Sequence, residues 1–222
     1  MCFSASASFV AGGGLSAMGV ATLRSVRKRE EIAFALIPFF FGVQQVIEGV
    51  IWLTFGSGDA GLRQIMATAY SAFSHVFWPI YVPFAVWFLE REPWRRRGLL
   101  GFQAAGLVVG LYLLYSLIQS PMVAELDGGH IVYVSPHFYL LPVMLLYLAA
   151  TCVSGVLSSH RFVALFGALG FLFFVAALMV HAQAFVSIWC FFYAILSAVV
   201  YVHLRYRGLG GFPADGGEAQ TA

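Results

Sequence analysis

Charge is what this chain has little of: aspartate, glutamate, lysine and arginine together make up 10% of its 222 residues. A soluble domain carries roughly 25%, so a water-facing globule is excluded. The net charge is +2, and the arginines sit in short stretches between apolar runs rather than along one stripe. That excludes an electrostatic footprint for nucleic acid. Cysteine is sparser still, with three residues. Cys2, Cys152 and Cys190 lie far apart with no CxxC spacing, which excludes a disulfide framework and a zinc ribbon. There is no internal repeat, and no pair of Gly/Pro-broken helices in matching halves, as an inverted-repeat transporter requires.

What fills the chain is apolar surface, 61% of all residues. A bilayer core needs about 20 apolar residues in a helix. The sequence offers seven such runs: Ala5–Leu23, Ile32–Phe55, Ile65–Leu89, Gly98–Ile118, His137–Leu157, Phe162–Val180 and Ala184–His203. The expected fold class is therefore all-α integral membrane, a seven-transmembrane helix bundle over residues 1–207. The Gly-rich polar stretch 208–222 is expected to be a disordered cytoplasmic tail. The first run differs from a secretory signal because its basic cluster follows the apolar stretch. In the connection Ser120–Pro136, Asp-Gly-Gly followed by the β-prone Ile131–Val134 predicts a short hairpin. Gly106 and Gly110 give the fourth run a small-xxx-small packing face, and Gly12-Gly13-Gly14 permits close packing of the first.

Orientation follows from the basic residues. Arg24, Arg27, Lys28, Arg29, Arg91, Arg95, Arg96, Arg97, Arg161, Arg205 and Arg207 all fall on one side, and only Arg63 on the other. The positive-inside rule then places the N-terminus outside and the C-terminus in the cytoplasm.

Within this frame Glu48 is the one carboxylate expected to be cut off from water. It lies inside the second run, with Gln44 and Gln45 one turn before it. An ionisable group at membrane depth costs several kcal/mol, and is a functional-site hypothesis by default. At about 1.5 Å per residue, Glu48 lies roughly 10 Å below the outer surface and His75 about 15 Å. His181 and His137 fall at outer helix ends, and Cys2 and Ser4 precede the first helix on the same side. Ser71 and His75 are i,i+4 neighbours, with Ser74 adjacent. Glu48, His75, His181 and Cys2 form a ligand set suited to zinc or another divalent transition metal. Gln44, Gln45, Ser71 and Ser74 would orient it. Cys152 and Cys190 read as inert buried residues.

Two function classes follow. As an enzyme, the site would be a metal-dependent hydrolase: the metal would activate water against the carbonyl of a lipid or other apolar substrate, with Glu48 in the chemistry and Ser71 or Ser74 stabilising the oxyanion. As a non-enzymatic protein, the same site would bind a metal, a haem or a small apolar ligand for sensing, transport or assembly. The bland alternative is a Glu48–His75 pair that fixes helix register. The lipid bilayer is the one partner implied, and a homo-oligomer is left open.

Met1-Cys2-Phe3-Ser4-Ala5, Gln44-Gln45-Val46-Ile47-Glu48-Gly49 and Ser74-His75-Val76-Phe77-Trp78-Pro79 resemble an uncharacterised family of bacterial multi-pass membrane proteins of unknown function. The resemblance covers most of residues 1–207 and implies a place in the bacterial inner membrane, but no activity. Ser71-Ala-Phe-Ser-His75 is also similar to the Ser-xxx-His element of seven-helix zinc amidases of the alkaline ceramidase type. Their last helix carries His-xxx-His, whereas this one offers only His203, so Glu48 and His181 would have to substitute.

Overall fold

In the computed structural model of the chain, residues 4–134, 140–180 and 185–206 are described, apart from the side chains of Val134, Phe185 and Tyr206. The described residues are mostly helical. Six helices are long and apolar enough to cross a membrane: α1 (Ala5–Arg24), α2 (Arg29–Ser57), α3 (Ala60–Leu89), α4 (Pro93–Gln119), α6 (Arg161–Val180) and α7 (Val186–Arg205). The expected fifth span corresponds to a shorter apolar helix, α5 (Leu141–Val156). Its predicted start at His137 lies outside the described residues, as do Cys2, His181 and the tail 208–222.

The helix ends follow local chemistry. Ser4 caps α1 by accepting from the Ala7 N–H at 3.2 Å, and Asp59 caps α3 by accepting from the Leu62 N–H at 2.9 Å, each satisfying one orphan donor. Gly58 ends α2 in the left-handed region at φ 74°, where glycine carries no Cβ penalty. Pro93 opens α4, where its missing N–H costs nothing.

Successive helices pack as neighbours, and α7 closes back on α1 and α2. Small residues set the closest crossings. A Cβ on Gly12 would lie 2.8 Å from Val46, and one on Gly19 2.6 Å from Phe39, so α1 lies backbone-to-backbone on α2. Gly13 and Gly14 face open space; of the glycine triplet only Gly12 packs. Gly106 is pressed against the Pro79 carbonyl and Gly110 against Ile80, which makes the expected small-xxx-small face the α3–α4 contact.

The predicted hairpin forms. β1 (Val123–Asp127) pairs antiparallel with β2 (His130–Val134), Asp127 opposite His130. Gly128 and Gly129 take φ of 55° and 80°, the two positive values a type I′ turn needs. Ala124, Ile131 and Tyr133 are buried against Ile51, Ala67 and Tyr70, and the Tyr70 and Tyr133 rings stack at 4.4 Å. Gln64 donates to the Met122 carbonyl at 2.8 Å. The hairpin thus closes one end of the bundle over α2 and α3.

At the opposite end the expectation that Glu48 is the one sequestered carboxylate is corrected. Glu31 and Glu90 are also buried, 5% and 2% exposed. Glu31 accepts from the Arg27 and Lys28 N–H groups. Glu90 accepts from the Ser159 N–H and hydroxyl, both at 2.6 Å, from the Ser158 hydroxyl, and from the Arg91 and Glu92 N–H groups. Burial of a carboxylate is tolerated when donors fill its lone pairs. Here they do so by tying the α3–α4 connection to the α5–α6 connection.

Candidate functional site

Gln44, Gln45, Glu48, Ser71, Ser74 and His75 are all buried, none more than 2% exposed. The polar groups that the sequence singles out on α2 and α3 therefore face the protein interior. Glu48 Oε2 accepts from Gln45 Nε2 at 3.3 Å, and Glu48 Oε1 accepts from the Ser187 hydroxyl at 2.5 Å. Glu48 is thus held by a serine on α7 that the sequence reading missed, alongside the neighbouring amide. Gln44 Oε1 accepts from the Trp78 indole N–H at 2.8 Å, and Gln44 Nε2 donates to the Cys190 sulfur at 3.3 Å. Cys190, expected to be inert, belongs to this network.

The Gln44–Trp78 bond fixes the relative heights of α2 and α3. Glu48 lies four residues beyond Gln44 toward the hairpin, about 6 Å, and His75 lies three residues before Trp78 in the same direction, about 4.5 Å. Both ionisable groups therefore occupy the turn above that bond, directly beneath the hairpin residues that Ile51 and Tyr70 pack against.

His75 sits on a π-helical segment, Ala72–Phe77, a distortion frequent at functional sites. Pro79 explains it. The Trp78 N–H bonds to the Phe73 carbonyl, five residues back, and Pro79 has no N–H to give. The Ser74 carbonyl is left without a helical donor, and the Tyr147 hydroxyl of α5 supplies one. On α5 a second π-helical segment, Ala149–Val153, packs against the Trp78–Leu89 stretch of α3.

The Ser74 hydroxyl lies 2.7 Å from His75 Nδ1 and donates to the Ser71 carbonyl at 3.4 Å. Ser74 thus holds the imidazole at Nδ1 in either tautomer, and so orients the ring within the interior. A hydrogen bond to one ring nitrogen is how metal-binding histidines are commonly oriented. The Ser71 hydroxyl is buried with no hydrogen-bond partner among the described residues.

Beside the network lies a cavity of about 20 Å³ walled by Phe41, Trp78, Tyr147, Phe166, Trp189 and Tyr193, enough for roughly one water molecule. Phe41 and Trp78 stack at 4.1 Å. Among the described residues, no three His, Cys, Asp or Glu side chains gather as a metal would require. A metal held by Glu48 and His75 would need a ligand from the residues outside them, where Cys2 and His181 fall.

No curated protein and no solved structure matches the chain. One family model does, described as a family of unknown function (DUF6629), and it covers residues 1–212. The chain, with its buried Gln44-Gln45-Glu48 and Ser74-His75 elements inside the matched region, belongs to that family.

Proposed function

We propose that this is a seven-span protein of the bacterial inner membrane, N-terminus outside, whose hairpin-side polar cluster binds a divalent transition metal, zinc first. Six membrane-length apolar helices support the membrane assignment, and the eleven-to-one asymmetry of basic residues supports the orientation. The metal reading is carried by one observation: His75, buried at the level of Glu48, is held at Nδ1 by the Ser74 hydroxyl at 2.7 Å. Cys2 and His181 would complete the set. Elemental analysis of detergent-purified protein tests it: about one equivalent of zinc in wild type, lost in His75→Ala. Less than a tenth of an equivalent after zinc loading, unchanged in the variant, ends the proposal. Reporter fusions test the orientation, with Gly58 and Asp127 outside and Arg29 and Arg96 in the cytoplasm.

A second reading, metal-dependent hydrolysis of a lipid or other apolar substrate, is favoured by the buried Ser71 hydroxyl, which has no partner among the described residues and could donate to an oxyanion. A cavity of about 20 Å³ admits water but not an acyl group, so turnover would require the helices around it to part. A haem is far larger than this cavity. Zinc-dependent release of fatty acid, abolished in Ser71→Ala with metal content intact, would establish the hydrolase.

A further inference from the structure

Three consecutive arginines open α4, and none of them meets a carboxylate among the described residues. The Arg96 guanidinium lies 4.4 Å from the centre of the Trp87 ring, and that of Arg95 lies 4.9 Å from the Trp94 ring. Arg95 also donates to the Leu157 carbonyl at 3.0 Å, and Arg97 is exposed. The nearest sequestered carboxylate, Glu90, is spoken for. Its five donors are hydroxyls of Ser158 and Ser159 and backbone N–H groups of Ser159, Arg91 and Glu92, which saturate the roughly four lone-pair positions of a carboxylate. The acid that could neutralise these arginines is used to join two connections instead.

The surroundings say which anion fits. Trp94 is 60% exposed and stands one residue from the arginines, and Trp87 lies in the last turn of α3. Tryptophan is enriched at the level of lipid headgroups. A guanidinium presents a planar fork that matches phosphate, and an arginine laid over an indole keeps its charge while losing some of its hydration. Juxtamembrane arginines are drawn to anionic lipid by the surface potential of the leaflet.

We propose that Arg95, Arg96 and Arg97, framed by Trp87 and Trp94, bind the phosphodiester of an anionic phospholipid where α3 ends and α4 begins. The site rests on the chain spanning a bilayer, and is independent of the metal. Its test is native mass spectrometry of the full chain released from bilayers of equal amounts of phosphatidylglycerol and phosphatidylcholine. Wild type retains phosphatidylglycerol preferentially. Arg96→Gln/Arg97→Gln, which spares the Arg95–Leu157 bond, lowers that preference about thirtyfold, in keeping with roughly 1 kcal/mol per arginine near an anionic surface. Arg27→Gln/Lys28→Gln removes the same charge at the same end and leaves the preference within about twofold of wild type. Should the first double variant unfold, Arg97→Gln alone still lowers the preference severalfold. An unchanged preference overturns the site, as does an equal fall in both double variants, which would mean diffuse attraction. Displacement of the lipid by millimolar inorganic phosphate would reassign the site to free phosphate. A chain extracted from cells without detergent would end the membrane reading itself.

Discussion

The Tyr147 hydroxyl donates to the Ser74 carbonyl, and this bond joins α5 to the π-helical turn that carries His75. Its removal leaves a buried carbonyl that Pro79 cannot serve. Tyr147→Phe is therefore expected to destabilise the protein by about 1 kcal/mol, within the range of polar interactions in membranes. For a chain of this size that is roughly a 2–4 °C fall in Tm in detergent. Tyr193→Phe is the control, since its hydroxyl meets the Cys152 sulfur, at 3.3 Å, a weaker partner. Equal Tm values for Tyr147→Phe and wild type would show that another donor serves Ser74.

The Glu48–Ser187 bond predicts energetic coupling between α2 and α7. Intramolecular hydrogen bonds contribute about 0.5–1.5 kcal/mol, and buried membrane pairs measure at most about 1.7. A double-mutant cycle of Glu48→Gln and Ser187→Ala should give a coupling of about 0.5–1.5 kcal/mol in reversible unfolding. Additivity within about 0.3 kcal/mol would mean that the carboxylate is stabilised elsewhere.

Several of these features were legible in the sequence, and for physical reasons. Long apolar runs announce helices because the bilayer sets their length, and Asp127-Gly128-Gly129 announced the hairpin because only a φ-positive pair closes it. Gln44, Glu48 and His75 declared themselves through the cost of burying them. The π-helical segments did not, because one extra residue in a turn does not alter composition; Pro79 marks only that the ladder is interrupted, not how the turn widens. Ser187 and Cys190 resemble any small residue of a helix; only the packing of α7 on α2 makes them partners. Glu90 read as a loop residue because its donors, Ser158 and Ser159, lie almost 70 positions away in the chain. Cys2 and His181, drawn into the site by their expected level in the bilayer, lie outside the described residues.

Glu90 predicts a pH dependence. Burial pushes its carboxyl up, but the Ser159 hydroxyl and N–H, with the Glu92 and Arg91 N–H groups, outweigh that and hold it below its ordinary value of 4.5. A depressed pKa means that the unfolded chain binds the proton first. The contribution is thus fully present above about pH 4.5 and is lost as the pH falls toward the folded value. The Tm difference between wild type and Glu90→Gln should be constant near neutrality and shrink below pH 4.5. A difference that grows in acid would reverse the assignment.

The α3–α4 contact distinguishes two glycines of the same helix. Pro83 cannot donate to the Pro79 carbonyl, and Gly106 brings its Cα–H against that oxygen, so a Cβ there would collide with backbone. Backbone cannot rotate aside as a side chain can. Gly101 has nothing within 4 Å of its would-be Cβ. Both alanine variants gain up to about 1 kcal/mol in helix propensity, but only Gly106→Ala must push α3 and α4 away from each other, at about 1–3 kcal/mol. Gly101→Ala should then be neutral or stabilising, and Gly106→Ala destabilising. Gly110→Ala should fall between them, because the atom it meets first is the flexible end of Ile80, at 2.8 Å. Thermal unfolding of the three variants in one detergent gives that order, and a Gly106→Ala protein as stable as Gly101→Ala would show that α4 does not lie on Pro79.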